Sequence, residues 1–208
     1  MINASAAGVI EACRANKDKI GTLYAGQNGI LGALHENLID TSKETPTAVA
    51  SLKHTPGGAF GSCRYKMRDH NEDSSEYERL VEVFKAHNIG YFFYNGGGDS
   101  ADTCLKVSQI AERMNYPIQA IHIPKTIDND VFPIKQSLGA WTAAEEGAKY
   151  FANVVAEHNA NPRMLIVHEV MGRSCGWLTG YTAKVYRDNL AKRNFLPGLG
   201  LRKERLDV

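Results

Sequence analysis

The feature that most constrains the fold is an alternation of short apolar runs with amphipathic stretches. Runs typical of buried strands occupy residues 21–25, 89–94, 118–123 and 164–170. Apolar positions at helical spacing predict helices over residues 5–16, 74–87, 101–114, 139–158 and 176–190. Alternation of this kind is typical of an α/β domain, in which helices cover both faces of a parallel sheet in three layers.

Composition narrows the class of protein and of partner. The chain has 208 residues, 43% of them hydrophobic, and a net charge of +1. We therefore expect one sizeable core and no overall field that favours nucleic acid or a membrane surface. The cysteines lie far apart without a CxxC pair, and no apolar run approaches a membrane span or a secretory signal. These features predict a cytoplasmic protein without nucleic-acid or membrane partners.

A glycine-rich turn follows the predicted strand that ends at Tyr94. The glycines Gly96, Gly97 and Gly98 precede Asp99 and Ser100. Consecutive glycines let backbone N–H groups approach a ligand, and the start of the next helix favours an anion there. The turn therefore indicates phosphate binding, with Ser100 as a candidate N-cap. The alternative is an ordinary strand-to-helix turn capped by Asp99 or Ser100.

A second turn, after Ile123, carries Lys125 and Thr126 followed by the carboxylates Asp128 and Asp130. In an extended segment the two carboxylates would lie on the same side and repel each other. One carboxylate can accept the proton of a sugar hydroxyl, and Lys125 can neutralise a moving phosphate. The alternative is a surface turn rich in Asx caps.

A third turn and one loop combine glycine with arginine. The turn contains Met171, Gly172 and Arg173, in which the glycine permits close backbone approach and the arginine suits phosphate. The loop over residues 57–66 holds Arg64. The alternatives are a surface ion pair for Arg173 and a solvated loop around Arg64.

These segments, in this order, resemble the phosphofructokinase family. The resemblance rests on residues 58–64, 96–100, 124–130 and 171–173, and it extends over nearly the whole chain. It implies phosphoryl transfer to the 1-hydroxyl of fructose 6-phosphate in glycolysis, with fructose 1,6-bisphosphate as the product. It also implies Mg²⁺ as cofactor and a homo-oligomer for the full-length protein.

The resemblance assigns a role to each matched residue. Asp128 matches the general base, and Thr126 and Asp130 match its partners at the reacting centre. Met171, Gly172 and Arg173 match the turn that binds the sugar phosphate. The positions that match the donor-phosphate site are Arg64, Gly97, Gly98, Asp99, Ser100 and Lys125.

Two positions indicate which phosphoryl donor the chain uses. ATP-dependent members of the family typically carry glycine where this chain has Lys125 and Asp99. The chain therefore resembles the pyrophosphate-dependent branch. Asp99 would repel an inner phosphate of a nucleotide, and Lys125 adds a cation for a short donor.

The chain departs from the family pattern at one glycine and at both ends. Gly98 stands where the family usually carries an aspartate that helps to hold Mg²⁺. Asp99 or Asp128 can compensate through water, and Asp99 is the ligand that we predict. Family chains begin with an additional strand and continue into a second domain. We therefore expect residues 1–208 to be a partial N-terminal domain that binds the donor and holds the catalytic residues.

Three functions remain open from the sequence. The first is pyrophosphate-dependent phosphoryl transfer, and the second is the corresponding ATP-dependent reaction. The third is a non-catalytic fragment that binds sugar phosphate or a sister subunit. The intact run from Lys125 to Asp130 favours a catalytic role, whereas Gly98 and the expected truncation favour the non-catalytic one.

Overall fold

The computed structural model describes residues 1–160 and 165–192. The chain divides into two compact units, Met1–Lys125 and Thr126–Val208. The division falls inside the run predicted to be catalytic, and the two units are described separately below. The assignment of residues 1–208 to one partial domain stays a prediction.

The first unit contains helices and short strands in mixed order. They are α1 (Ile2–Ala15), β1 (Tyr24–Gly26), α2 (Ile30–Leu34), β2 (Leu38–Asp40), a 3₁₀ turn (Thr41–Lys43), α3 (Pro46–Leu52), α4 (Ser75–Ala86), β3 (Tyr91–Gly96), α5 (Gly98–Arg113) and β4 (Gln119–Pro124). The predicted helices that correspond to α1, α4 and α5 are confirmed within a few residues.

Strands β3 and β4 form the parallel pair that the alternation predicted. Their register runs from Tyr91 opposite Gln119 to Gly96 opposite Pro124. Helix α5 connects the two strands, as a parallel connection requires. The α/β class and its parallel sheet are thereby confirmed.

The two faces of this strand pair carry different helices. Phe92 and Tyr94 pack against the largest buried cluster, which is formed mainly by α4 and α5 and includes Leu80, Phe84, Val107 and Ile110. The opposite face, with Phe93 and Ile123, borders a cavity that is also lined by residues of α1. The helices therefore lie on both sides of the strands, which agrees with the predicted three layers.

The first predicted strand, residues 21–25, is shorter in the structure and belongs to a different sheet. Tyr24–Gly26 pairs antiparallel with Leu38–Asp40, with Ala25 opposite Ile39. The chain reverses between them through Asn28 and Gly29, whose φ angles are 61° and 71°. An apolar cavity of about 230 Å³ lies between β1 and β3. The absence of a first strand stays a prediction.

The second unit contains two packed helices, α6 (Ala140–Ala160) and α7 (Trp177–Ala191). Their interface buries Ala148, Val155, Tyr186 and Leu190. Phe151 meets the Tyr186 ring edge-on, with centroids 5.0 Å apart. Both helices were predicted from their periodicity, and both are confirmed.

The prediction of a strand over residues 164–170 is wrong for residues 165–170, which are the part that the structure describes. Residues 165–170 form no strand, although their exposure alternates. Leu165 and Val167 are 89% and 86% exposed, whereas His168 packs against Phe151 with ring centroids 5.2 Å apart. The described part of the apolar run contacts α6 through His168, but it joins no sheet. Met164 lies outside the described residues.

No helix within residues 1–160 and 165–192 combines the length and the apolar character that crossing a membrane requires.

Candidate active site

In the first unit, a candidate site for the phosphoryl donor lies at the carboxyl edge of the β3–β4 pair. The amide of Lys125 donates a hydrogen bond to the carbonyl of Gly96 at 2.8 Å. This bond continues the parallel ladder one step past β4. It fixes the backbone of Lys125 beside the glycine turn, so the structure brings these two predicted donor-binding segments together.

Helix α5 begins inside the glycine turn, earlier than the sequence predicted. Gly97 is its N-cap, Gly98 is its first residue, and no side chain caps it. The prediction that Ser100 or Asp99 caps this helix is therefore wrong, because both lie within its first turn. Within residues 1–160 and 165–192, the first N–H groups of α5 have no side-chain partner, and unpartnered N–H groups at a helix start favour an anion.

Contacts within the chain require glycine at only one of the three glycine positions of the turn. A Cβ at Gly96 would lie 2.1 Å from the Ser100 hydroxyl, so the fold itself requires glycine there. A Cβ at Gly97 would make only ordinary contact with the Lys125 carbonyl at 3.7 Å, and one at Gly98 would meet nothing within 4 Å. Packing within the chain therefore does not explain Gly97 and Gly98. The two glycines leave the backbone of the turn accessible to a ligand.

Two residues that the sequence analysis missed contact this turn from strands β3 and β4. His122 on β4 places its Nε2 3.0 Å from the carbonyl of Gly96. Tyr94 lies beneath the turn, where burial raises the pKa of its phenol and a hydrogen bond with Ser100 opposes that rise. The strand alternation could have indicated both residues, since each lies two positions before an end of β3 or β4.

The predicted cations of the first unit are free to bind an anion. Within the described part of the chain, the side chains of Lys125 and Arg64 form no hydrogen bond and no ion pair. Arg64 is exposed, in a loop whose start is held by buried Asn3. The Asn3 side chain donates to the carbonyl of Thr55 at 2.9 Å and accepts from the amide of Ala59 at 2.6 Å. No hydrogen bond joins Arg64 to the glycine turn.

In the second unit, the predicted site residues lie around Asp128. Residues 127–128 form a turn, and Asn129 has a left-handed φ of 55°. The segment is therefore not extended, and the argument that alternation places Asp128 and Asp130 on the same side does not apply. The Asp128 amide donates to the Thr126 hydroxyl at 3.1 Å, which places these two predicted residues together.

The turn around Gly172 is connected to Asp128 through Cys175. The thiol of Cys175 donates to the backbone carbonyl of Asp128 at 3.1 Å. Gly172 has a φ of 129°, and a Cβ there would lie 2.5 Å from the carbonyl of Cys175. Gly172 is therefore required by its own turn, and this reason differs from the predicted close approach of a ligand. Arg173 and Met171 are exposed beside it.

A metal site built from protein ligands alone is absent from residues 1–160 and 165–192. No three His, Cys, Asp or Glu side chains lie close enough to hold an ion together. Asp99 is exposed and offers a single carboxylate. Such a site fits a magnesium ion that takes most of its ligands from water and from a bound phosphate.

A parallel strand pair covered by helices, with a glycine turn and a lysine at its carboxyl edge, defines an α/β protein of the class in which ligands bind at the carboxyl ends of the strands. The Phosphofructokinase family profile matches residues 1–190. The chain belongs to the phosphofructokinase family.

Curated relatives carry one common name. The chain is 56% identical over 185 residues to pyrophosphate–fructose 6-phosphate 1-phosphotransferase of Methylococcus capsulatus, covering 86% of this chain and 43% of the relative. It is 61% identical over 191 residues to the enzyme of the same name from Methylomonas methanica, covering 88% and 47%. The chain thus spans less than half the length of these relatives.

A solved structure agrees with this grouping. The pyrophosphate-dependent phosphofructokinase of Nitrosospira multiformis superposes with a TM-score of 0.80 at 53% identity, covering 88% of this chain and 46% of that one. Phosphofructokinase of Saccharomyces cerevisiae, at 19% identity and a TM-score of 0.68, shares the fold. The predicted family and fold are confirmed.

Proposed function

We propose that this chain supplies the donor-binding and catalytic residues for phosphoryl transfer from pyrophosphate to fructose 6-phosphate. The 1-hydroxyl of the sugar attacks one phosphorus atom of pyrophosphate, orthophosphate leaves, and fructose 1,6-bisphosphate forms. The names of the relatives support this reaction. Because the chain spans less than half of those relatives, the activity of the whole protein is part of the proposal.

The observation that carries the proposal is the hydrogen bond from the Lys125 amide to the Gly96 carbonyl. It holds a free lysine beside a helix start whose N–H groups have no side-chain cap. A doubly charged phosphate end would gain both backbone donors and a cation at this edge. Gly97 and Gly98 leave the backbone open to it.

Asp128 takes the role of general base in this reaction. Its carboxylate would accept the proton of the 1-hydroxyl while the oxygen attacks the donor. Thr126 and Asp130 flank it, and Thr126 holds its amide. Lys125 precedes Thr126 directly in the chain, and we assign it and Arg64 to the charge that develops on the transferred phosphoryl group.

We assign the sugar phosphate to the turn that contains Met171, Gly172 and Arg173. Arg173 is exposed and forms no ion pair within the described residues, so its guanidinium can form bidentate hydrogen bonds with a phosphate. Cys175 connects this turn to the backbone of Asp128. This contact supports a sugar bound with its phosphate at Arg173 and its reacting hydroxyl toward Asp128.

Magnesium would enter with the donor. It would neutralise phosphate charge, and Asp99 is the residue of this chain that would reach it, through water or directly. Fructose 6-phosphate and pyrophosphate are the proposed partners. A homo-oligomer and a cytoplasmic location are further parts of the proposal.

Replacement of Asp128 tests the proposal. Asp128→Asn should lower turnover by about 10²- to 10⁴-fold, because the amide cannot accept the proton. Fructose 6-phosphate binding, measured by calorimetry, should stay within about threefold, since Asp128 is assigned to proton transfer and Arg173 to the phosphate. Asp18→Asn, an exposed carboxylate after α1, is the matched control. An Asp128→Asn variant with the wild-type rate would refute the role.

Two other functions remain as alternatives. ATP as the donor is disfavoured by Asp99, which lies in the first turn of α5 where a nucleotide's inner phosphate would come near. A non-catalytic fragment would bind fructose 6-phosphate yet give no product with either donor. The free side chains of Lys125 and Arg64 favour the catalytic alternative, because a role in binding sugar phosphate alone leaves them without a ligand.

A further inference from the structure

The backbone of Asp128 is held by two hydrogen bonds. Its amide donates to the Thr126 hydroxyl at 3.1 Å, and its carbonyl accepts from the Cys175 thiol at 3.1 Å. The next residue, Asn129, has a left-handed φ of 55°. The direction of the Asp128 side chain therefore depends on contacts that its own carboxylate does not make.

Asn129 closes the loop that follows Asp128. Its amide nitrogen donates to the carbonyl of Lys135 at 3.2 Å, and its amide oxygen accepts from the backbone of Ser137 at 2.7 Å. Both polar atoms of one side chain are thus used on the two sides of a single loop. Asparagine tolerates the left-handed conformation better than most residues, so it satisfies the turn and the loop closure together.

Besides these bonds, the loop has a backbone hydrogen bond of its own, from the amide of Ile134 to the carbonyl of Val131 at 2.8 Å. Residues 132–136 are exposed, with Phe132 94% exposed and Ile134 41% exposed. Ser137, at the end of the loop, is fully buried and precedes α6. Asn129 therefore connects the residues around Asp128 to a fixed point at the start of α6, across a segment that does not pack into a core.

We propose that Asn129 is a positioning residue for Asp128, acting through its two side-chain hydrogen bonds across residues 129–137. This inference rests on the proposed function, because it assumes that Asp128 is the base. A general base must meet its hydroxyl within hydrogen-bond distance, and a displacement of about 1 Å can lower a rate by roughly 100-fold. Cys175 is the second anchor, on the carbonyl side of Asp128.

Glycine and aspartate at position 129 separate the two properties of Asn129. Asn129→Gly keeps the left-handed backbone and removes both hydrogen bonds. Asn129→Asp keeps the acceptor for Ser137 and removes the donor to Lys135. Asn115→Gly is the matched control, because Asn115 has a φ of 51° and its side chain forms no hydrogen bond within the described part of the chain.

The expected result is a loss in kcat without a matching loss of sugar binding. Asn129→Gly should lower kcat by about 10- to 100-fold and change the KM for fructose 6-phosphate by less than about threefold. The kcat of Asn129→Asp should lie between those of Asn129→Gly and the wild type, and the kcat of Asn115→Gly should equal that of the wild type. Hydrogen exchange at the Ser137 amide should be faster in Asn129→Gly, which shows the lost bond without reference to activity.

A second pair of variants tests the other anchor. Cys175→Ser keeps a hydrogen-bond donor for the Asp128 carbonyl, and Cys175→Ala removes it. We expect kcat to stay near the wild-type value in the serine variant and to fall in the alanine variant. Equal rates in both variants would refute the part played by Cys175.

Failure of this inference can be told apart from failure of the proposed function. If the wild-type chain forms product and Asn129→Gly has the same kcat, the positioning role of Asn129 is refuted. The assignment of Asp128 as the general base then still stands. If Ser137 exchanges equally fast in the wild type and in Asn129→Gly, the loop closure itself is refuted. If the wild-type chain gives no product, the proposed function fails, and the positioning role that rests on it fails too.

Discussion

Lys125 and Gly96 are joined by a backbone hydrogen bond of 2.8 Å at the point where two parallel strands end. This bond sets a lysine beside a glycine turn that opens a helix, and the turn has no side-chain cap. A strand register one residue different would turn the Lys125 amide away from the turn. The predicted donor site therefore depends on the pairing of β3 with β4.

Gly98 should matter for the ligand and not for the fold. Gly98→Ala adds a methyl group at the first residue of α5, where it meets no atom within 4 Å. The free energy of unfolding should therefore stay unchanged or rise by about 0.5–1 kcal/mol. The same methyl group would obstruct a phosphate, so pyrophosphate affinity should fall by about tenfold or more. Calorimetry and thermal unfolding measure the two effects.

Gly8→Ala is the control for this substitution. Gly8 lies in α1 with no atom within 4 Å of an added Cβ, so alanine should stabilise the helix and leave pyrophosphate binding unchanged. Unchanged pyrophosphate affinity in Gly98→Ala would mean that the turn serves only the fold.

Donor choice should depend on Asp99 and Lys125 together. Replacing both residues by glycine removes the carboxylate that repels an inner phosphate and the cation that a short donor needs. The ratio of kcat/KM for ATP to that for pyrophosphate should rise by about tenfold or more. The matched control replaces Lys17 and Asp18, an exposed pair after α1, by glycine. A ratio that moves equally in both double variants would contradict the argument.

Tyr116 should anchor the entry into β3. Its hydroxyl lies 3.0 Å from the carbonyl oxygen of Phe84 and 2.6 Å from that of Ile89, so it shares its single proton between them and connects the end of α4 to the residues before the strand. Tyr116→Phe removes this donor from the Ile89 carbonyl, whereas the Phe84 carbonyl still accepts from the Ile89 amide at 2.8 Å. The loss should cost about 1–2 kcal/mol of unfolding free energy. Denaturant unfolding measures the loss.

Tyr150→Phe is the corresponding control. Tyr150 is 69% exposed on α6, and its hydroxyl has no partner among the described residues, so its loss should change stability by less than about 0.5 kcal/mol. Equal effects of the two tyrosine variants would show that the Tyr116 hydroxyl does not hold β3.

Periodicity predicted most of the helices and the parallel pair β3–β4, but not the sheet to which residues 24–26 belong. The helices α4 and α5 and the strands β3 and β4 follow from apolar spacing, because each buries one face in a common cluster. The run at residues 165–170 has the same apolar character, yet its exposure shows that no strand covers it. Local pattern predicts an extended segment, but pairing depends on what lies beside it.

The candidate site residues could be predicted from their residue types, whereas the residues that hold their backbone in place could not. Glycine, lysine and aspartate in short turns indicate phosphate chemistry, so Gly97, Lys125 and Asp128 could be named from the sequence. Asn129 and Cys175 act through backbone atoms of other residues, and no pattern in the sequence marks such contacts. Resemblance to a family supplied the roles, since spacing alone left each turn with a structural alternative.

The most direct test of the account is product formation by the purified chain with fructose 6-phosphate and Mg²⁺, comparing pyrophosphate with ATP. The account predicts fructose 1,6-bisphosphate with pyrophosphate and little or none with ATP. Equal or faster turnover with ATP would contradict the assignment of Asp99 and Lys125 to donor choice. No product with either donor, while fructose 6-phosphate still binds, would contradict catalysis by this chain.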